Sequence, residues 1–323
     1  MRAVRVAAFG DADVLHVEDV PRPEPQPGEA LVRIKAAGVN FSDIGMRAGR
    51  GAHPLPYTPG LEAAGIVDAV GSGVRDVQPG DRIVYLSRLG SYAEFNTVPT
   101  AELIPLPARI SFAQGAAGTL QGVTAQTLVH EYYNVVPGTT VLVHAAAGGL
   151  GLLLVQWFKH LGAVVIGTVS TADKAAAARE AGADHVILYT EQDFAAETQR
   201  LTGGRGADYV VDGVGRTTFL KDLDAVRMRG HICLYGQASG PAEPLAPAAL
   251  MGKSITLSGG NMSNYVKSRE ALLERAAAVF DGIQQGWLRV RIDHTLPLAE
   301  AAEAQRRLEH RGTIGKVVLA VDA

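Results

Sequence analysis

The chain is short of the residues on which several common chemistries depend. It holds a single cysteine, Cys233, which excludes an intramolecular disulfide and a thiolate zinc site. Neither sign of charge is in excess. The 30 Lys and Arg against 33 Asp and Glu give a formal net charge of −3, so the surface offers no general attraction to nucleic acid or an anionic membrane. The nine histidines contain no His-x-x-x-His pair, so the helical zinc spacing is missing. Residues 252–254 (GKS) have the end of a P-loop, but Pro247 stands where its first glycine is required. The longest apolar stretch, residues 141–158, is interrupted by His144 and Gln156 and contains three glycines. It reads as a buried strand, turn and helix rather than a membrane span. Residues 1–10 alternate Arg with apolar residues and run into Asp11 and Asp13, without the apolar block of a signal peptide. The expected setting is cytoplasmic.

What the chain does have is length, apolar content and glycine. Its 323 residues are enough for roughly two domains at about 150 residues each. A hydrophobic content of 47% with 20% charged residues allows sizeable cores. Glycine is the outlier, 37 residues or about 11%, against about 7% in average usage. From residue 1 to 120, short β-type runs (30–37, 63–70, 82–86) are punctuated by Pro-Gly and Gly-Ser-Gly turns, which suggests a small barrel or sandwich. Pro-rich residues 20–27 read as a stiff connection between strands. From 121 to 259, strands at 141–143, 164–169, 186–188, 209–212, 231–235 and 255–257 are expected, with helices following the first three at 152–160, 174–181 and 194–201. Such alternation predicts right-handed crossovers and a parallel sheet covered on both faces. Residues 260–323 supply a helix at 269–285, a strand at 289–294, a helix at 298–310 and a strand at 316–321. This last part is too small to stand alone and is expected to complete the first domain. The α/β unit is then an insertion.

The strongest local signal is residues 141–151, VLVHAAAGGLG. A buried strand runs into Ala146-x-Gly148-x-x-Gly151 and then a helix, the dinucleotide fingerprint with Ala at its first glycine position. Small residues here permit a tight turn, let backbone approach a pyrophosphate, and let helix pack on strand; the phosphate meets unpaired N–H groups at a positive helix end. An NAD site needs an acid at the tip of the next strand. Here the tip reads Gly167-Thr168-Val169-Ser170-Thr171, followed by Asp173 and Lys174. Ser170 and Lys174 suit a 2′-phosphate, which favours NADPH. Cys233 lies in an apolar run and reads as core.

The chain resembles the medium-chain dehydrogenase/reductases, in particular their zinc-free NADPH:quinone oxidoreductase branch, over nearly its whole length. The resemblance rests on residues 38–43 (GVNFSD), 59–65 (PGLEAAG), 70–74 (VGSGV), 79–84 (PGDRIV), 144–151 (HAAAGGLG), 167–174 (GTVSTADK), 212–215 (DGVG) and 310–317 (HRGTIGKV). It implies an α/β fold in which a GroES-like β-barrel-type domain carries an inserted Rossmann domain, with the coenzyme in the cleft against it. Zinc-dependent relatives carry a Cys and a His where Asn40 and Leu61 stand, so no metal site is expected and the acceptor must spread the incoming charge itself. Quinones and α,β-unsaturated carbonyls both do.

By the same resemblance, Asn40 lies close to the reacting carbonyl, and Phe41, Ser42, Asp43, Ile44 and Gly45 border nicotinamide and substrate. Gly148, Gly149, Leu150 and Gly151 hold the pyrophosphate; Ser170, Lys174 and Tyr189 face the adenosine and its 2′-phosphate. Gly213, Tyr235, Gly236, Gln237, Gly260, Asn261 and Met262 line the nicotinamide side, and Arg311 is a cofactor-side arginine. Glu62 is expected to anchor structure. Bacterial relatives often carry tyrosines at Gly45, in the loop 50–53 and at Thr127; their loss should widen the pocket and leaves no tyrosine to donate a proton. A homodimer through the edge strand near 255–257 follows by analogy. The other readings are an enone or enoyl reductase, and a non-catalytic NADPH- or RNA-binding protein.

Overall fold

The computed structural model describes residues 1–51 and 53–321. In chain order the elements are β1 Arg2–Val6, β2 Leu15–Asp19, β3 Glu29–Val39, α1 Phe41–Arg47, β4 Glu62–Val70, β5 Arg82–Leu86, β6 Phe95–Pro99, β7 Ile104–Pro105 and α2 Phe112–His130. There follow β8 Thr140–Val143, α3 Gly149–His160, β9 Val164–Val169, α4 Ala172–Glu180, β10 His185–Leu188, α5 Phe194–Leu201, β11 Ala207–Asp212, α6 Phe219–Ala225, β12 Val226–Leu234 and β13 Thr256–Gly259. The chain closes with α7 Arg269–Gln285, β14 Ile292–Pro297, α8 Ala301–Glu309 and β15 Lys316–Ala320. No helix among the described residues is long and apolar enough to cross a membrane.

Two compact units result. The first comprises Met1–Gln121, Val266–Gln285 and Val290–Ala323. Its seven-stranded sheet runs β14-β15-β3-β4-β5-β7, with β6 also on β3. The eleven-residue β3 organises it: residues 29–33 pair with β6 and residues 36–39 with β15, while β4 takes the other edge. Among the described residues of this unit, only β14 and β15 pair in parallel. Apolar side chains of β1, β3, β4, β5, β15 and α8 form one core, including Val4, Ile34, Val67, Tyr85, Leu319 and Ala304.

The second unit comprises Gly122–Tyr265 and Gly286–Arg289. Its six strands are all parallel, in the order β10-β9-β8-β11-β12-β13. Numbered within the unit this is 3-2-1-4-5-6, the doubly wound order, in which ligands bind outside the carboxyl ends of the strands where the order reverses. That point falls between β8 and β11. β8 is buried along its whole length, as a central parallel strand covered on both faces must be.

Four elements differ from the sequence reading. Helix α2 occupies a stretch where its glycines conceal a helical pattern; Gly118 is needed there because a Cβ would come within 2.8 Å of Val290. Helix α6 was not foreseen, and β12 begins at Val226 rather than 231, with Arg229 at φ 59° and a register shift against β11. The strand expected at 289–294 lies at Ile292–Pro297, where Lys316–Ala320 supplies its partner.

Candidate active site

The turn after β8 is built from main chain. Ala145 takes a left-handed conformation (φ 51°), Ala146 N donates to Thr168 O at 3.1 Å, and Gly148 N donates to Ala145 O at 2.9 Å. Helix α3 then starts from Gly148, which has no side chain to cap it, and its first turn holds no acid. The amides of that turn are therefore left for an incoming group. Gly151 is obligatory: a Cβ there would lie 2.2 Å from Ala145 O and 2.8 Å from Ala146 Cα. A close-packed turn with uncapped amides at the switch point fits a pyrophosphate.

Around it the structure gathers most of the residues named from sequence. Ser170 and Tyr189 follow the paired ends of β9 and β10, where Val169 faces Leu188. Tyr189 N donates to Val169 O, Thr190 Oγ1 to Ser170 O, and Lys174 lies in the first turn of α4, capped by Thr171. No carboxylate ends β9. At the tips of β11, β12 and β13, Tyr235 lies over Gly213, where a Cβ would sit 2.5 Å from its ring, and against Gly260, where one would sit 2.7 Å from its Cβ. Gly236 packs on Gly213 O, and Gln237 is exposed. Asn261 N donates to Tyr132 Oη at 3.0 Å, and its side chain caps the turn beginning at Met262. Cys233 is buried.

A buried network beneath this turn was not foreseen. His144, the residue after β8, places Nδ1 at 2.9 Å from Thr168 Oγ1 and Nε2 at 2.8 Å from Asp222 Oδ1. Asp212, at the end of β11, accepts from Val214 N and Gly215 N with one oxygen and from Thr218 Oγ1 with the other. Burial raises the Asp222 carboxyl to about 7; the His144 contact opposes the shift and the neighbouring Asp212 adds to it. His144 belongs to the quoted motif, but its acid lies 78 residues away in an unforeseen helix.

The first unit carries the remaining site residues. Antiparallel pairing of β15 with β3 sets Val317 opposite Val39, which brings Lys316 beside Asn40. Lys316 Nζ donates to Asn40 Oδ1 at 2.6 Å and to Glu62 Oε1, and Asn40 Nδ2 donates to Glu62 Oε1 at 2.8 Å. The second Glu62 oxygen accepts from Leu120 N. Glu62 is wholly buried, and Gly38 makes room for its carboxylate, since a Cβ would lie 2.4 Å away. Asp43 accepts from Asn40 N at 2.9 Å and from Tyr92 Oη at 3.0 Å. Burial raises it from 3.8 to about 7; the bonds from Asn40 and Tyr92 and the charge of Lys316 oppose the rise.

Asn40 is thus fixed by a buried ion pair, and Lys316, quoted only as part of a motif, is the member that sequence reasoning missed. On α1, Phe41 and Ser42 are exposed, whereas Asp43, Ile44 and Gly45 are buried. Arg311 sits in the turn after α8 with φ 54°. Thr127 is buried and donates to Val123 O. The space above Gly45 is not left open as the missing tyrosines suggest, because the Arg50 guanidinium lies over it. Among the described residues, no three His, Cys, Asp or Glu side chains are placed to hold a metal ion.

Comparison with known proteins bears on this arrangement. Residues 26–108 match the alcohol dehydrogenase GroES-like domain, and residues 149–278 match the family described as zinc-binding dehydrogenase. The chain is 41% identical over 320 residues to a 2-haloacrylate reductase of a Burkholderia species, covering 96% of each chain. It is 39% identical over 323 residues to a quinone oxidoreductase of Pseudomonas aeruginosa, covering 98% of this chain and 99% of the other. A mycobacterial protein solved in complex with NADPH superimposes with a TM-score of 0.96 at 42% identity, covering 99% of this chain and all of the other. The Escherichia coli quinone oxidoreductase, also solved with NADPH, gives 0.96 at 38% over the same shares. The chain is an oxidoreductase of the medium-chain dehydrogenase/reductase family and belongs to its quinone oxidoreductase branch.

Proposed function

We propose that the chain reduces quinones or related conjugated carbonyls with NADPH, without a metal ion. The observation that carries this reading is the main-chain turn at 144–151 with its uncapped amides. The two relatives solved with NADPH support it, as does a β9 tip bearing Ser170 and Lys174 in place of an acid. In this reading residues 121–259 bind the coenzyme, and residues 1–120 with 260–323 bind the acceptor.

Gly148, Gly149 and Leu150 would hold the pyrophosphate through their amides, and Ser170 and Lys174 would hold the 2′-phosphate. Bound NADPH supplies a hydride. Exposed Phe41 offers a flat apolar face to a planar acceptor. Asn40 Nδ2 carries two N–H bonds; Glu62 takes one, and the second is available to the oxygen on which charge develops. Lys316 and Glu62 hold that amide in one orientation, so the donor needs no reorganisation as the charge forms. The proton completing the reduction comes from water. A homodimer through the exposed edge of β13, where Leu257 is 37% exposed, and a cytoplasmic location belong to the same reading.

The experiment is to follow NADPH oxidation with a panel of quinones and enones. Saturable oxidation supports the proposal; tight NADPH binding with no oxidation by any acceptor refutes it. A second reading, reduction of a conjugated alkene rather than a quinone, is favoured by the 2-haloacrylate reductase at 41% identity.

A further inference from the structure

The pairing of Gly45 with Arg50 has a chemical consequence. A Cβ built on Gly45 would lie 2.6 Å from Arg50 Nε and 2.8 Å from one of its terminal nitrogens. The guanidinium therefore occupies space that any other residue at 45 would contest. Arg50 N donates to Gly45 O at 2.8 Å, which ties the base of this side chain to α1. Among the described residues, no carboxylate forms an ion pair with Arg50, and its side chain has no hydrogen-bond acceptor. Most other arginines in the first unit have a side-chain partner; Arg47, the last residue of α1, is bonded to Gln305 and Glu309. Phe41, one helical turn before Gly45, lies on the same face of α1 and is 38% exposed. A planar cation without a counterion thus sits on the helix face that also presents an aromatic ring.

We propose that Arg50 selects acceptors carrying a carboxylate, so that the preferred substrates are α,β-unsaturated acids, and that it binds their carboxylate directly. The inference rests on the reading above that α1 borders the acceptor. Such acids are poor hydride acceptors in water. Hydride from the reduced nicotinamide adds to C3, the C2=C3 π pair moves towards the carboxylate, and the acid, already an anion, becomes an enediolate with two negative charges. Water protonates C2, leaving the saturated acid, oxidised coenzyme and hydroxide. A guanidinium pairs with both carboxylate oxygens through a fixed fork and offsets the second charge where it forms. Neutral quinones and enones develop only one charge and gain less from it. The apolar face of Phe41 suits the conjugated carbon skeleton.

The test compares 2-chloroacrylate with its methyl ester, which has the same skeleton without the charge, and with a neutral quinone, all with NADPH and the full chain. The wild type should favour the acid over the ester in kcat/KM. Arg50→Gln should lower that acid-to-ester ratio by about ten- to hundredfold, the worth of one charge-assisted pair, and Arg50→Lys should restore part of it. Because Arg50 is exposed, Tm should not change. Independently of turnover, calorimetry without coenzyme should show 2-chloropropionate binding to the wild type and at least about tenfold more weakly to Arg50→Gln. An unchanged ratio, or equal binding by both proteins, overturns the assignment, while continued reduction of the quinone leaves the broader function standing. If no acceptor is reduced, both fall.

Discussion

The two units solve opposite problems. At 144–151 the second unit makes a binding surface by removing side chains, so that backbone amides are reached directly. At Asn40 the first unit buries ionisable side chains: Lys316 and Glu62 hold its side-chain amide, and Asp43 accepts from its main-chain N–H. The first device depends on what is missing from one short stretch. The second depends on residues brought from four elements, α1, β4, β15 and the segment holding Tyr92. A local vacancy is sensitive to added volume, and a buried charge cluster is sensitive to a lost partner.

That contrast predicts graded effects. The largest should follow Gly151→Val, whose side chain meets backbone rather than a movable group. Two or three amide bonds to a phosphate are worth about 1.5–3 kcal/mol each, so NADPH affinity measured by fluorescence titration should fall by about a thousandfold or more. Lys316→Met comes next, because it leaves Glu62 buried without its cation; breaking such a pair costs about 3–5 kcal/mol. Urea unfolding should show that loss, and the double variant Lys316→Met/Glu62→Gln should recover much of it. Equal destabilisation of single and double variants would remove the ion pair from the account.

Smaller effects sharpen the comparison further. Lys174→Glu should weaken NADPH about tenfold or more, as loss of a charge-assisted contact does, and leave NADH binding nearly unchanged; equal loss of both would refute the 2′-phosphate assignment. The remaining effect is a pH dependence of stability. Asp43 holds its proton to about 7 when folded against an ordinary 3.8, so between these values the folded state binds more protons than the unfolded state. Its contribution to stability is present at low pH and is lost as pH rises towards 7. The wild-type Tm should carry that decline, and Asp43→Asn should remove part of it, the rest belonging to Asp222.

The same contrast explains what could be read from sequence. The glycine turn was legible because its requirement is local: small residues at fixed spacing between a strand and a helix. The parallel sheet of the second unit followed from the alternation of strands and helices, whereas its strand order came from the structure. Lys316 was not legible as a partner of Asn40, since 276 residues separate them and only the pairing of β15 with β3 joins them. Helix α2 was hidden because its glycines serve packing while lowering helix propensity. Arg50 was invisible for another reason: the absence of a side chain at 45 does not say what fills the space.

The central claim is that an uncapped, glycine-lined turn holds NADPH for delivery of hydride to a conjugated acceptor. Steady-state oxidation of NADPH by a quinone, with wild type and Gly151→Val side by side, tests it most directly. The account predicts saturable oxidation by the wild type and near-complete loss in the variant, with NADPH binding lost in parallel. Undiminished turnover by Gly151→Val, or no turnover by a wild type that binds NADPH, would contradict it.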